Sequence, residues 1–156
     1  MNNRAVALGV GTIVLMATVI SERVLMNIST PDMRLIPGLA DFIPAWNRGV
    51  SFGLFTQNSD TGRYLLMALL FVIVTGVLIL AWHAQSRLIA AGFGLVLGGA
   101  LGNLLDRALY GGGVFDFLAM HLGNMPLFVC NLADIAISAG VILLAADALL
   151  ARPRSI

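Results

Sequence analysis

Tyr64–Trp82 reads YLLMALLFVIVTGVLILAW, nineteen residues without a charge. A hydrocarbon core about 30 Å thick is crossed by roughly 20 apolar residues in a helix, so this stretch predicts a transmembrane span. Tyr64 and Trp82 stand at its two ends, where interfacial aromatics belong. The flanking sequence can be measured against the same ruler. Upstream, Ala5–Ile20 (AVALGVGTIVLMATVI) is apolar or small, and the run continues through Ser21-Glu22-Arg23 into Val24-Leu25-Met26. A small-x-small cleavage site does not follow, so this reads as a retained first helix and not a removed leader. Downstream, His83–Arg87 is a tight polar turn, and Leu88–Leu105 is a third apolar run with Gly94, Gly98 and Gly102 at every fourth position. That spacing puts glycine on one helix face and lets a neighbouring backbone approach closely. Leu127–Leu150 is the fourth run, with Asn131 and Asp134 near its start and Asp147 near its end.

The whole composition agrees. The chain is 59% hydrophobic and 11% charged, against about 25% charged in soluble domains. A formal net charge of +1 argues neither for nor against nucleic acid, which is not expected as a partner, and all nine basic residues are Arg. A single cysteine, Cys130, excludes an intramolecular disulfide framework, and His83 and His121 lack zinc-ligand spacing. No metal and no cofactor are therefore expected.

Residues 27–63 are the longest polar stretch. Pro31, Pro37 and Pro44, with apolar residues such as Phe42, Ile43 and Phe52 set among polar ones, suit short strands and turns better than a helix. The predicted fold is an all-α membrane bundle of four transmembrane helices with a small extracytoplasmic β-sheet segment. It forms a single membrane domain over 1–156, with spans near 5–26, 64–82, 88–106 and 128–150, an outer β segment at 27–63 and an outer loop at 107–127. A bare Arg count does not orient it. Setting aside Arg23, Arg48 and Arg107, which adjoin Glu22, Asn47 and Asp106, leaves both termini and the 83–87 turn as the cytoplasmic side.

The costly residues lie between the third and fourth runs, in GGALGNLLDRALYGGGVFDFLAMHLGNMPLFVCNLAD (Gly98–Asp134). Ionisable groups at membrane depth are expensive and usually face a bundle interior or a wet cavity. Asn103, Asp106 and Arg107 are spaced i, i+3 and i+4, on one helix face, and Asp106 with Arg107 suits a structural pair at a helix end. Asn131 and Asp134 are also i and i+3, a spacing that a helix cap alone would explain. Asp116 changes the balance, because it follows the triple glycine in a segment that returns to the same membrane face as Asp134. Two carboxylates at one end of a bundle can share a proton, one activating water while the other polarises a carbonyl. Cys130 sits in an apolar run and reads as inert. His121 reads as an interfacial residue of the loop. Asn47-Arg48-Gly49 suits a turn, and equally the presentation of an amide and a guanidinium to a substrate.

WNRGVSFGLF (Trp46–Phe55), GGALGNLLDR (Gly98–Arg107), VFDF (Val114–Phe117) and NLAD (Asn131–Asp134) stand in an order and spacing that resemble bacterial lipoprotein signal peptidase, the signal peptidase II family. The resemblance implies an inner-membrane aspartyl endopeptidase of four spans with an outer β-cradle. Such an enzyme removes signal peptides from prolipoproteins already carrying diacylglycerol. It implies Asp116 and Asp134 as the catalytic pair, with Asn47, Asn103, Arg107 and Asn131 as supporting residues and Asp106 as a structural one. Arg48, beside Asn47, is a further candidate substrate-binding residue. The implied partners are a lipid-modified prolipoprotein and membrane lipid, the implied state a monomer, and the implied site the extracytoplasmic face of the inner membrane. The chain departs from the family at Ser21–Met26, where Asp-Gln-x-x-Lys is usual and Glu22 stands in for the Asp, and at Ile135, where a small residue is common. Both aspartates are retained, which points to activity, with a diverged paralogue of altered substrate preference as the alternative. An alternative function uses the same carboxylates in a small proton-coupled carrier. A relay of that kind needs acids at intermediate depth, and the second and third runs contain none.

Overall fold

The computed structural model describes residues 2–28, 33–49 and 60–150. Four helices form the frame: α1 (Asn3–Leu25), α2 (Asp60–Trp82), α3 (Arg87–Leu109) and α4 (Leu132–Leu150). Each is long and apolar enough to cross a membrane. Large apolar side chains such as Leu65, Phe71, Val72 and Ile142 are exposed on their outer faces. In water such a surface would aggregate, whereas in lipid it is the solvated face.

The helix α3 is the centre of the bundle, for a reason its sequence contains. A Cβ at Gly98 would fall 2.5 Å from the Gly11 carbonyl oxygen and 2.6 Å from the Val14 Cβ of α1. One at Gly94 would fall 2.7 Å from the Ala7 carbonyl oxygen, and one at Gly102 2.8 Å from the Thr18 Cγ2. The opposite face also carries glycine: a Cβ at Gly99 would fall 2.5 Å from the Ala133 carbonyl oxygen of α4. Without a hydrophobic force between helices in lipid, such close backbone approach is what holds a bundle together. Gly98→Ala should therefore force α1 away from α3 and destabilise the protein by about 1–3 kcal/mol, the usual cost of overpacking. Gly76→Ala is the matched control, since a Cβ there meets nothing within 4 Å. Thermal unfolding in detergent should show a lower midpoint for the first variant and an unchanged or higher one for the second.

At the end of the bundle where α1 finishes and α4 begins lies an antiparallel sheet of order β1-β2-β3-β4. Its strands are β1 (Met33–Ile36), β2 (Ala40–Asn47), β3 (Val114–Leu122) and β4 (Met125–Cys130). The expected sheet is present at β1 and β2, but half of it comes from elsewhere. Residues 114–130, read from sequence as an outer loop and the start of the fourth span, form the hairpin β3–β4. The apolar run MPLFVC passes into α4 with no change in hydropathy, so composition hides the boundary. The boundary is set by Asn131, immediately before Leu132, and by the β3–β4 turn, where Gly123 takes φ 59°. Such a backbone favours glycine. Pairing of Ala45 with Asp116 and of Asn47 with Val114 fixes the register of β2 on β3. That register sets the Asn47 side chain beside Asp116. Of residues 27–63, positions 29–32 and 50–59 lie outside the described residues.

Candidate active site

The site is assembled around one amide. Asn131 is fully buried and precedes the first turn of α4. Its Oδ1 accepts the Asp134 backbone N–H at 3.0 Å, and the Asp134 Oδ2 accepts the Asn131 N–H at 3.3 Å. This reciprocal pair is a capping box, so the expected cap is real. The cap does not exhaust the residue. The Asn131 Nδ2 donates to the Asp116 Oδ1 at 3.0 Å and to the Asn103 Oδ1 at 3.0 Å. A carboxamide has two N–H donors, and both are used.

Around this hub the remaining polar groups close a web. Asn103, on α3, donates from Nδ2 to the Asp134 Oδ1 at 2.9 Å. Asn47, at the end of β2, donates from Nδ2 to the Asp116 Oδ2 at 3.0 Å, while its Oδ1 accepts the Gly49 N–H at 2.9 Å. One side chain thus serves the turn through its oxygen and reaches Asp116 through its N–H. Arg107 is buried and braces the web from α3, donating from Nη2 to the Gly49 carbonyl at 2.5 Å and from Nη1 to the Asn103 carbonyl at 3.1 Å.

Two expected site residues stand apart. Asp106 takes no hydrogen bond from the web around Asn131 among the described residues, and its Oδ2 accepts the Phe115 N–H at 3.1 Å. A helical spacing of three and four permits one face without requiring it. Arg48 is exposed, and among the described residues no hydrogen bond joins it to either aspartate. The residue that sequence reasoning undervalued is Glu22, buried at the end of α1 in contact with Asp106. An acid inside an apolar run was the available signal.

A cavity of about 200 Å³ opens beside the web, lined by Asn47, Asn103, Arg107, Asp116 and Asp134, with apolar walls from Leu70, Ile73 and Val74 of α2. The carboxyl of Asp116 is pushed up to about 6. Burial is the largest cause and the charge of Asp134 adds to it, while the Asn47 and Asn131 hydrogen bonds and Arg107 pull the other way. Cys130 is buried close by, and its thiol is pushed up to about 11, first by burial and then by the charges of Asp134 and Asp116. A thiol so placed stays protonated at neutral pH and is a poor nucleophile. Among the described residues no group of three His, Cys, Asp or Glu side chains is placed to hold a metal.

A solved structure described as a bacterial membrane enzyme at 2.3 Å resolution shares this fold, with a TM-score of 0.71 over 96% of this chain and 93% of its own. At 21% identity that likeness speaks to the fold alone. The sequence itself is more specific. The profile of the family Signal peptidase (SPase) II matches residues 6–150. A lipoprotein signal peptidase of Methylorubrum extorquens (strain PA1) is 48% identical over 128 residues, 82% of this chain and 74% of that protein. One of Rhizorhabdus wittichii (strain RW1) is 38% identical over 96% of this chain and 89% of its own length. The chain belongs to the signal peptidase II family, and it is a peptidase. The carrier alternative finds no support in these matches.

Proposed function

We propose that this peptidase releases signal peptides from diacylglyceryl-modified prolipoproteins at the extracytoplasmic face of the bacterial inner membrane, with Asp116 and Asp134 as its acid–base pair. The observation that carries the proposal is the Asn131 side chain and backbone, which bind Asp116 and Asp134 together in one buried web. Asp134 sits in the first turn of α4, takes two N–H donors and feels the positive end of the helix dipole. It is the carboxylate that takes a proton from water. Asp116, more deeply buried, carries the proton that polarises the scissile carbonyl. After attack, the water proton on Asp134 passes to the leaving amine, and Asp116 regains its own as the carbonyl re-forms. Asn47 and Asn131 hold the Asp116 carboxyl in place, and Arg107 offsets the negative charge. The apolar α2 wall of the cavity suits an extended, apolar signal peptide. The enzyme acts as a monomer, with membrane lipid as its solvent.

The test is incubation of the purified protein with a diacylglyceryl-modified prolipoprotein and with its unmodified counterpart. Release of signal peptide from the modified form alone is expected, and equal cleavage of both contradicts the substrate assignment. The pH dependence follows from the raised Asp116 carboxyl. Below about 6 it keeps its proton, and above that it loses it. With Asp116 as the acid, kcat/KM should fall as pH rises through that region, by up to about tenfold per unit. A rate that rises over the same interval reverses the roles of the two aspartates.

A further inference from the structure

Glu22 is fully buried at the last turn of α1, inside the bundle and outside the web around Asp116 and Asp134. Its carboxyl is hydrogen-bonded to the carboxyl of Asp106 on α3, which is buried as well. A hydrogen bond between two carboxyl groups needs a proton, so the pair cannot be doubly ionised. The surroundings say which partner has it. The Oδ2 of Asp106 accepts the Phe115 N–H at 3.1 Å, and Arg107 and Arg23 stabilise charge on that residue. Glu22 shares the nearby Arg23 charge but has no backbone N–H donor of that kind among the described residues, and its Oε1 is buried without a hydrogen-bond partner. The cation next to it in sequence, Arg23, reaches out to the hydroxyl and ring of Tyr110. From β3 the nearest charged group is Asp116, which opposes a negative charge on Glu22. A neutral acid leaves one oxygen unpaired at far lower cost than an ion does.

We infer that Glu22 is a positioning residue that acts as a neutral carboxylic acid, donating its proton to Asp106 and so fixing the backbone that presents Asp116. The linkage is short. Glu22 holds Asp106, Asp106 holds the Phe115 N–H, and Asp116 is the next residue along β3. The same bond ties the end of α1 to α3 and to the sheet, three elements that must keep register for Asp116 to meet Asn131. The proton on Glu22 also spares Asp116 a further negative charge. The inference rests on Asp116 being catalytic only for its kinetic consequence.

Infrared spectra of the purified protein at neutral pH decide the protonation directly. The difference between the parent and Glu22→Gln should show loss of a carboxylic-acid carbonyl band, and loss of a carboxylate band instead overturns the inference. That outcome stands whatever the substrate proves to be. Kinetics then test the positioning. Glu22→Ala should lower kcat about tenfold or more with KM little changed, since a buried acceptor loses its donor. Glu22→Gln, whose amide N–H replaces the acid as donor, should restore most of that rate with the pH profile of the parent. A glutamine variant as slow as the alanine variant overturns the role as donor.

Discussion

Asn131→Leu should slow cleavage by about 100-fold or more and remove about 3–5 kcal/mol of stability. The leucine is close in size, so the loss is of hydrogen bonds and not of volume. The Asp134 N–H at the start of α4 would lose its acceptor, and Asp116 and Asn103 would each lose a donor. A lost cap costs about 0.5–2 kcal/mol, and each buried polar group left unsatisfied about 1–3 kcal/mol. The kinetic loss arises because the direct link between Asp116 and Asp134 is gone, leaving only the longer path through Asn47, Gly49, Arg107 and Asn103. Asn131→Ser separates the two effects. A serine hydroxyl can cap the helix but is too short to reach Asp116, so thermal stability should partly return while the rate stays low. A leucine variant that cleaves within about threefold of the parent rate would remove Asn131 from the site.

Most of the frame was legible because hydropathy over about 20 residues is a strong signal in a lipid solvent. Tyr64–Trp82 needed only its length and its lack of charge. The sheet was legible only in part. Residues 114–127 stood out only as an outer loop and 128–130 merged with the fourth span, because neither strand shows clear period-two alternation of apolar and polar residues. Its boundary is a single asparagine. At the site, the residue types were readable because acids and amides are costly beside apolar helices. Their geometry was not. Helical spacing put Asn103, Asp106 and Arg107 on one side, whereas Asp106 turns to Glu22 and Phe115. The dual use of Asn47 and Asn131 was equally hidden, since it depends on the register of β2 against β3 and on where α4 begins. Those are tertiary facts.

The other large effect is expected at the aspartates. In the proposed mechanism each has a separate task, one to take a proton from water and one to hold a proton on the carbonyl, and proton transfer by a placed group is worth about 10²–10⁴-fold. The surroundings offer no substitute. Cys130 keeps its proton, and the remaining polar groups lining the cavity among the described residues are amides, the Ser138 hydroxyl and a buried guanidinium, none of them a carboxylate. Asp134→Asn leaves an oxygen for the helix cap and Asp116→Asn preserves size, so both variants should insert and bind substrate. The amide at position 116 brings a donor against the donors of Asn47 or Asn131, which predicts a small local shift without unfolding. The most direct measurement is single-turnover release of signal peptide from a diacylglyceryl-modified prolipoprotein, in the presence of a metal chelator, by the parent and by each asparagine variant. The parent should cleave at full rate with the chelator present, and each variant should fall by about a thousandfold while still binding the substrate. Either variant cleaving within about tenfold of the parent would contradict catalysis by Asp116 and Asp134.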